Sequence, residues 1–265
     1  MNSVTVITLT RNRPGLLKRA VSSVQNQVCE TSIRHFILVD NCEKTRDILT
    51  RWKTVPPNVK WWYVEREADE KSGPGRSAKL RNFGVRQADS PWISFLDDDN
   101  EFKTDHLGTL LACAGKTGHR MVHSHRSLYY RDGKPFLEER SPWYPDIDEG
   151  IQAYRELRQR GVFVPGSNVM RDIFDPLGTP DPIISVDISE VLMRRELLLE
   201  VPFPEAYSQS EGEQHTGEDD KLFWKLHSLG EPVSCTYEAT LNYFLGGYSN
   251  EFTSDYDDSF SWSNM

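Results

Sequence analysis

Three consecutive aspartates, Asp97, Asp98 and Asp99, follow an apolar run at residues 92–96 and carry the clearest chemical signal in the sequence. Adjacent carboxylates repel one another when ionised, and a bound cation relieves that repulsion. Mg²⁺ and Mn²⁺ prefer oxygen ligands and keep positions open for phosphate, so one or two carboxylates suffice. In an extended chain Asp97 and Asp99 would lie on one side and Asp98 on the other. We therefore predict a divalent-metal site; the alternative is an ordinary turn, for which these residues are also suited.

A second acidic group, Glu218, Asp219 and Asp220, stands at the start of a predicted helix over residues 218–229. On this helix Asp219 shares a face with apolar side chains three and four residues further along, so we expect it to face inward near a cleft. A carboxylate placed there can act as a general base. Burial would raise the pKa of Asp219, whereas the helix dipole and a metal would lower it. The alternative is that all three are ordinary first-turn acids, and Glu218 and Asp220 remain the other candidates for the base.

The elements that would position both groups alternate between strand and helix. Apolar, β-branched runs indicate strands at residues 3–9, 35–39, 59–64, 92–96, 121–130, 186–192 and 233–244. Apolar residues at helical spacing indicate helices at residues 16–24, 44–53, 77–88, 105–115, 151–160, 194–200 and 218–229. Alternation of this kind favours a mostly parallel sheet with ligands beyond the carboxyl ends of its strands. Polar groups at Thr10, Asp40 and Asp97 fall at such ends.

The composition restricts the class of protein. A chain of 265 residues with 37% hydrophobic and 27% charged residues is typical of a globular protein, and we favour one continuous domain. The net charge of −9 argues against a nucleic-acid partner. The sequence has no apolar run of eighteen residues, and a strand is predicted almost from Met1, so we expect no transmembrane segment, no signal peptide and a cytoplasmic location. The four cysteines form no C-x-x-C pair, which disfavours a redox motif.

Five segments resemble, in order and approximate spacing, the family 2 glycosyltransferases. They are VTVITLTRNRP at 4–14, ILVDN at 37–41, AKLRNFG at 78–84, WISFLDDDN at 92–100 and GEDDKLFW at 217–224. The resemblance covers about the first 115 residues well and then short patches to about residue 245. It implies an α/β protein with the GT-A fold, in which helices flank a Rossmann-like, mostly parallel central sheet. Residues 1–115 would be the nucleotide-sugar-binding half, residues 116–248 the acceptor-binding and catalytic-base half of the same domain, and residues 249–265 a flexible tail or lid.

The resemblance also implies a reaction and a set of site residues. The reaction is inverting transfer from a nucleotide-diphosphate sugar to an acceptor hydroxyl, with Mn²⁺ or Mg²⁺ as cofactor and Asp219 as the general base. The implied metal ligands are Asp99 and Asp98. The implied nucleotide and donor contacts are Thr8, Leu9, Thr10, Arg11, Asp40, Asn41, Lys71, Arg76, Arg81, Asp97 and Asp98. Two acids often stand in this family where the present chain has Asp40-Asn41, and this departure affects which base would bind, because an amide can both donate and accept where a carboxylate only accepts. We favour uridine and keep thymidine and guanosine open.

Two other functions fit parts of the sequence. A sugar-phosphate nucleotidyltransferase would need a glycine-rich, basic loop directly after the first strand, and the residues at 10–15 match that poorly. A non-catalytic nucleotide-sugar-binding protein would need no base beside the acceptor. For the basic residues Lys71, Arg76 and Arg81, the alternative to donor binding is solvation of a Gly/Pro-rich loop. The acceptor is a small molecule, a lipid-linked molecule or a glycan, and the sequence sets neither this choice nor the oligomeric state.

Several further side chains carry weaker signals. His123 and His125 offer two imidazoles on one side of a strand, but zinc needs further ligands that the sequence does not identify. His215 could contact metal or diphosphate, and Asp187 could line the acceptor site. Aromatic residues that could stack on sugar rings or simply pack in the core are Trp143, Tyr144, Phe244 and Tyr248.

Overall fold

The computed structural model describes residues 3–68, 70, 72–208, 211 and 216–247 of the chain. Its strands are β1 Ser3–Thr10, β2 Ser32–Asp40, β3 Val59–Val64, β4 Trp92–Phe95, β5 Glu101–Phe102, β6 Met121–Tyr129, β7 Val169–Met170, β8 Val191–Arg194 and β9 Val233–Phe244. Its helices are α1 Pro14–Gln25, α2 Glu43–Thr50, α3 Pro74–Gln87, α4 His106–Thr117, α5 Ile147–Gln159, α6 Arg195–Glu200 and α7 Glu218–Ser228. None of the helices in these residues is long and apolar enough to cross a membrane.

The described strands form one sheet in the order β3-β2-β1-β4-β8-β6-β9-β5, with β7 beside β6. The first four strands of this order are parallel throughout. Further along, β8 runs antiparallel to both β4 and β6, whereas β9 runs parallel to β6. The strand-helix alternation predicted from the sequence is confirmed, and the carboxyl ends of β1, β2 and β4 lie at one edge of the sheet, where the candidate site residues follow them.

Helices cover both faces of the sheet because the central strands are apolar on both sides. On β1, Val4 and Val6 belong to the core that includes residues of α1 and α4, whereas Ile7 belongs to the core that includes residues of α3 and α7. Successive side chains of a strand project to opposite faces, so one apolar run supplies both cores. This arrangement places α3 and α7 on the same face, and residues of both helices reach the site described below.

Residues 186–192 do not form the single strand predicted from their apolar character. The Asp187 carboxylate accepts a hydrogen bond from the Ser189 N–H at 2.8 Å, and the Glu190 carboxylate accepts one from the Asp187 N–H at 2.7 Å. These reciprocal bonds are a capping box, which starts a 3₁₀ turn at Ile188–Glu190 before β8 begins. The strand prediction for this segment rested on its β-branched residues. It did not take into account the Asp-x-x-Glu spacing, which is typical of a capping box. The two-residue strands β5 and β7 were also not predicted.

Gly84 lies where α3 packs against β1 and β2, and it permits a close approach. A Cβ at this position would stand 3.0 Å from two carbons of Ile7 and 3.2 Å from Cδ1 of Leu38. Overpacking costs about 1–3 kcal/mol, whereas replacing glycine by alanine inside a helix gains about 1 kcal/mol. We therefore expect Gly84→Ala to lower the free energy of unfolding by about 1 kcal/mol, measured by urea denaturation.

Gly115 provides the matched control, because it lies inside α4 and a Cβ there would meet no atom within 4 Å. Gly115→Ala should raise the free energy of unfolding by up to about 1 kcal/mol through helix propensity alone. An equal gain in both variants would show that the α3 interface has room for the extra methyl group and would contradict the packing described here.

Candidate active site

The three aspartates leave the end of β4 in a turn, in which the Asn100 N–H donates to the Asp97 carbonyl oxygen at 3.1 Å. An extended chain would place Asp98 and Asp99 on opposite sides, but the turn allows both to bind Arg13. The Arg13 Nη1 atom lies 3.1 Å from Asp98 Oδ1 and 2.9 Å from Asp99 Oδ2. Two neighbouring carboxylates therefore share one guanidinium nitrogen.

The environment of these carboxylates disfavours their ionised forms. Burial raises the pKa of Asp98 to about 7, opposed by the charge of Arg13 and increased by the charge of Asp99. Burial likewise raises the pKa of Asp99 to about 6, with further contributions from the charges of Asp97 and Asp187 and opposition from Arg13. The oxygens of these two carboxylates are buried and closely spaced, and both carboxylates share the single charge of Arg13. Such a set of oxygen donors fits a hard divalent ion.

Arg81 of α3 joins the strand-end acids to the acids of α7. Its Nη2 atom lies 2.9 Å from Asp97 Oδ1, and its Nε atom lies 3.0 Å from Glu218 Oε1. The Arg81 side chain is only 4% exposed, and its remaining nitrogen, Nη1, is buried without a partner. Acidic residues separated by more than a hundred positions along the chain are thus brought together by a single buried guanidinium.

The three acids at the start of α7 have different surroundings. Glu218 binds Arg81, whereas Asp220 is exposed and accepts a hydrogen bond from the Gly217 N–H at 2.9 Å, which caps the helix. Asp219 is partly buried. Burial raises its pKa well above the ordinary value, and the charges of Glu218, Asp220 and Asp187 raise it further. The Asp219 carboxylate accepts a hydrogen bond from the Asp220 N–H at 3.1 Å and, unlike Glu218, has no ion pair with Arg81.

Asp187 belongs to the same electrostatic neighbourhood, because its charge raises the pKa of both Asp99 and Asp219. Arg126 holds it in place. The Arg126 Nη1 atom lies 3.2 Å from Asp187 Oδ2, and Nη2 lies 3.1 Å from Asp172 Oδ1. Asp187 was predicted from the sequence as a site residue but Arg126 was not, because an arginine within a strand carries no spacing signal for partners so distant along the chain.

Aromatic rings contribute to this part of the site. The Arg126 guanidinium lies 4.9 Å from the centre of the Trp143 ring and 5.0 Å from that of Tyr243. Phe244 stacks against the Arg19 guanidinium at 3.9 Å, and Tyr144 is exposed. Two of the four aromatic residues singled out in the sequence therefore contact arginines of the site region.

The residues at the end of β1 that were predicted to contact the nucleobase differ in their exposure to solvent. Thr8 is fully buried, and its hydroxyl lies 2.9 Å from Nε2 of His35, so it joins β1 to β2. Leu9 is partly buried, and Thr10 is buried beside Asp98. Arg11 is exposed at the strand end. Thr10 thus lies next to Asp98, whereas the Thr8 side chain is inside the sheet.

At the end of β2, two arginines bind the carboxylate of Asp40. Burial raises the pKa of Asp40, but hydrogen bonds from Arg66 and Arg76 outweigh it and hold this pKa below its ordinary value. Asn41 follows with a positive φ of 44°, and its side-chain oxygen accepts a hydrogen bond from the Tyr63 hydroxyl at 3.2 Å. The carboxyl end of β2 is therefore held by ion pairs and hydrogen bonds within the protein.

Arg76, which was predicted to reach the donor, is engaged by the protein itself. Its side chain is 2% exposed and donates to Asp40, to Glu70 and to two carbonyl groups at the end of β3. Four of the five N–H groups of this guanidinium therefore have protein acceptors. Arg76 is better placed to hold Asp40 than to bind phosphate.

Some predicted features lie outside the described residues. These are Lys71, His215, Tyr248 and the tail at 249–265. Gly247, the last described residue, runs so close to Asp99 that a Cβ on it would stand 2.8 Å from Asp99 Oδ2.

Loss of the Arg81 bridge should have a measurable structural cost. We expect Arg81→Met to lower the free energy of unfolding by about 3 kcal/mol, at the lower end of the range for a broken buried ion pair because Asp97 is 33% exposed and can be solvated. Urea denaturation measures the loss. The control is Arg86→Met on the exposed last turn of α3, where a change within about 0.5 kcal/mol is expected. Equal effects in both variants would show that the bridge contributes nothing.

Comparisons with known proteins connect this geometry to a family. Residues 5–177 match the family model described as "Glycosyl transferase family 2". The chain is 31% identical over 136 residues to the "Putative teichuronic acid biosynthesis glycosyltransferase TuaG" of Bacillus subtilis, covering 50% of each chain. It is 29% identical over 117 residues to the "GalNAc(5)-diNAcBac-PP-undecaprenol beta-1,3-glucosyltransferase" of Campylobacter jejuni, covering 44% of this chain and 36% of that protein. The matches span half or less of the length of these curated relatives.

Solved structures resemble the whole described fold at low sequence identity. S. aureus TarS 1–349 superposes with a TM-score of 0.60 at 16% identity, covering 91% of this chain and 60% of that one. The "Mannosyltransferase PcManGT from Pyrobaculum calidifontis in complex with GDP-Man and Mn2+" superposes with a TM-score of 0.55 at 14% identity, covering 93% and 58%. The α/β sheet flanked by helices is the GT-A fold, as predicted from the sequence.

Proposed function

Because this chain belongs to glycosyl transferase family 2, we propose that it transfers a sugar from a nucleotide-diphosphate donor to the hydroxyl of an acceptor, with inversion and with the help of a divalent metal. The observation that carries this proposal is the Arg81 bridge, whose 2.9 Å and 3.0 Å contacts bring Asp97 and Glu218 to one place. Residues 1–115 would bind the donor, and residues 116–248 would bind the acceptor and supply the base. The bridge joins these two halves.

Asp98 and Asp99 would hold the metal, which is Mn²⁺ or Mg²⁺ in this proposal. When bound, such an ion stabilises the negative charge that develops on the departing diphosphate. Support comes from two carboxylates that share a single Arg13 nitrogen and whose burial disfavours ionisation. Oxygen donors of this kind select hard cations. In this arrangement Arg13 fixes the orientation of both carboxylates.

Asp219 would accept the proton of the acceptor hydroxyl as the bond to the anomeric carbon forms. Its two neighbours have other duties, since Glu218 binds Arg81 and Asp220 caps α7. A general base works best when its pKa lies near the working pH, and burial together with nearby acids moves the pKa of Asp219 upward in that direction. Arg81 would hold Glu218 beside the base and Asp97 beside the metal ligands. It would thereby fix the position of the base relative to the metal site.

The nucleotide would lie along the strand ends. We assign Leu9, Thr10, Arg11, Asp40 and Asn41 to this region, with Asp97 and Asp98 near the ribose and donor sugar. Uridine is the proposed base, supported by the complex of S. aureus TarS with UDP, which has a TM-score of 0.59 at 16% identity. Thymidine and guanosine stay open, the latter because PcManGT was solved with GDP-Man.

A lipid-linked glycan is the proposed acceptor. The Campylobacter jejuni relative is named as a glucosyltransferase acting on an undecaprenol-linked glycan, and this chain shares 29% identity with it over 117 residues. Asp187, held by Arg126 near Asp219, is the side chain that we assign to an acceptor or donor-sugar hydroxyl. A carboxylate accepts hydrogen bonds from such hydroxyls.

A screen of nucleotide sugars tests the proposal. Each donor is added with and without Mn²⁺, and thermal unfolding is followed by product analysis with an undecaprenol-linked glycan. We expect a uridine-diphosphate sugar to raise the unfolding temperature only with metal and to give a product whose anomeric configuration is inverted by NMR. Release of pyrophosphate from a nucleoside triphosphate and a sugar phosphate would identify a nucleotidyltransferase instead. Stabilisation by a nucleotide sugar without transfer to any acceptor would leave only a binding protein.

A further inference from the structure

Two histidines and one cysteine converge where β6 pairs with β9. His123 and His125 are two residues apart on β6, and Cys235 of β9 is the register partner of His123. Side chains at these positions project from the same face of a sheet. One ligand atom from each residue lies within 4.8 Å of the other two, and Cys235 Sγ is 3.8 Å from both ring nitrogens of His125.

This spacing is close to that of a zinc site. With Zn–S near 2.3 Å and Zn–N near 2.05 Å in tetrahedral geometry, a sulfur and a nitrogen ligand lie about 3.6 Å apart. The 3.8 Å separation between Cys235 and His125 is close to this distance, whereas the widest separation in the group, which is within 4.8 Å, would shorten on metal binding. The third ligand could not be identified in the sequence because Cys235 lies 110 residues beyond His125.

Hydrogen bonds already orient two of the three ligands. His123 Nδ1 lies 2.9 Å from the Ser124 carbonyl oxygen, which can only accept, so this nitrogen carries the proton and Nε2 keeps its lone pair. A carbonyl bond on the far nitrogen is the usual support of a metal-binding histidine. On β9, the Tyr237 N–H donates to Cys235 Sγ at 3.2 Å, which helps to fix the position of the sulfur.

The backbone of β9 is distorted next to Cys235. Tyr237 has a φ of 61°, a left-handed conformation that is uncommon for a bulky residue, and its side chain is 82% exposed, with its ring centre 6.2 Å from that of His125. The register between β6 and β9 shifts here, so that Cys235 faces His123 and Ala239 faces His125. The bulge is what turns the Tyr237 N–H toward the sulfur.

The three residues are shielded from solvent. His123 and His125 are 3% and 6% exposed, and Cys235 is partly buried. Metal binding would release the proton of the Cys235 thiol, because the thiolate is the ligand.

We propose that His123, His125 and Cys235 bind one transition-metal ion, with Zn²⁺ as the best match to imidazole and thiolate donors, and that this ion fastens the bulged start of β9 to β6. Three protein ligands leave one position for water or another small ligand. The site is separate from the oxygen-only donor set of Asp98 and Asp99, and the two would select different metals. It does not depend on the proposed sugar transfer.

Cobalt titration of the metal-free protein is the direct test, because Co²⁺ bound to a thiolate gives a charge-transfer band in the near ultraviolet. We expect one equivalent of Co²⁺ to produce the band and Zn²⁺ to displace it. Cys235→Ser should abolish the band, and His125→Gln should weaken Zn²⁺ affinity at least tenfold. Cys113→Ser is the matched control, since its thiol contacts the Cys235 carbonyl group but is not one of the three ligands, and it should keep the band. Asp99→Asn should also keep it, which separates this site from the proposed catalytic one.

A second measurement on unmodified protein guards against a variant that fails to fold. Alkylation of each cysteine is followed by mass spectrometry with and without Zn²⁺. We expect Zn²⁺ to slow alkylation of Cys235 at least tenfold and to leave that of Cys29 unchanged. Absence of a thiolate band with Co²⁺, an equal band in Cys235→Ser, or Zn²⁺-independent alkylation of Cys235 would each overturn the proposal.

Discussion

Replacement of Asp219 by asparagine is expected to lower kcat by about 10²–10⁴-fold, the usual contribution of a general base. The amide has nearly the same shape as the carboxylate but cannot take the proton of the acceptor hydroxyl. Arg81 pairs with Glu218 and not with Asp219, and an asparagine keeps an oxygen that can accept the Asp220 N–H, so the fold and the donor site should survive the change. Steady-state kinetics should show the loss in kcat, while titration calorimetry with UDP and Mn²⁺ should give an unchanged affinity.

Asp220→Asn is the matched control for this prediction. Asp220 is the next residue on the same helix, carries the same group and is exposed. Its replacement should leave kcat within about twofold of the unmodified protein, since a surface change of this kind has a small effect. Full turnover by Asp219→Asn would remove Asp219 from the reaction, and a large loss in the variants of Glu218 or Asp220 would then move the role of base to that residue.

Replacement of Asp99 by asparagine is expected to lower kcat/KM by about 10³-fold, which corresponds to about 4 kcal/mol of lost stabilisation of the diphosphate charge. Asp98 keeps its 3.1 Å contact with Arg13, so the turn after β4 should persist. Removal of one of two carboxylates that burial makes hard to ionise should not destabilise the protein, and the thermal midpoint tests this. The dependence of kcat/KM on Mn²⁺ concentration should shift to much higher concentrations.

Asp105→Asn is the control for metal binding, because Asp105 is exposed just before α4 and makes no side-chain capping bond. It should show the same Mn²⁺ dependence as the unmodified protein. A metal dependence of Asp99→Asn identical to that of the control would exclude Asp99 as a metal ligand and would leave Asp98 as the remaining candidate.

The architecture was largely predictable because its central strands are buried on both faces and therefore read as continuous apolar runs. β1 at Ser3–Thr10 and β4 at Trp92–Phe95 were predicted within one residue of their bounds for this reason. The prediction failed at Ile188–Glu190, where a capping box between Asp187 and Glu190 competes with apolar, β-branched neighbours. In the folded protein, local hydrogen bonds determine the conformation of this segment. The hydrophobic pattern does not indicate how strong these bonds are, so it could not predict the outcome.

The positions of the candidate site residues were predictable, but their partners were not. Acids that follow a strand or begin a helix are recognisable from local sequence, as with Asp99 and Asp219. Arg13 contacts Asp98 across 85 residues, and Arg81 contacts Glu218 across 137. Ion pairs between such distant residues leave no spacing signal. Arg76 illustrates the reverse error, since a basic residue in a Gly/Pro-rich loop suggests an exposed side chain, yet its guanidinium is buried on Asp40.

A crystal soaked with Mn²⁺ and UDP, with anomalous diffraction measured at the manganese edge, tests the central claim most directly. The account predicts one strong manganese peak about 2.1 Å from a carboxylate oxygen of Asp99 and from oxygens of the diphosphate, with the Asp219 side chain on the same side of the sheet and facing the open end of the diphosphate. Manganese and diphosphate bound away from the strand-end aspartates, or an Asp219 carboxylate that faces away from the bound diphosphate, would contradict it.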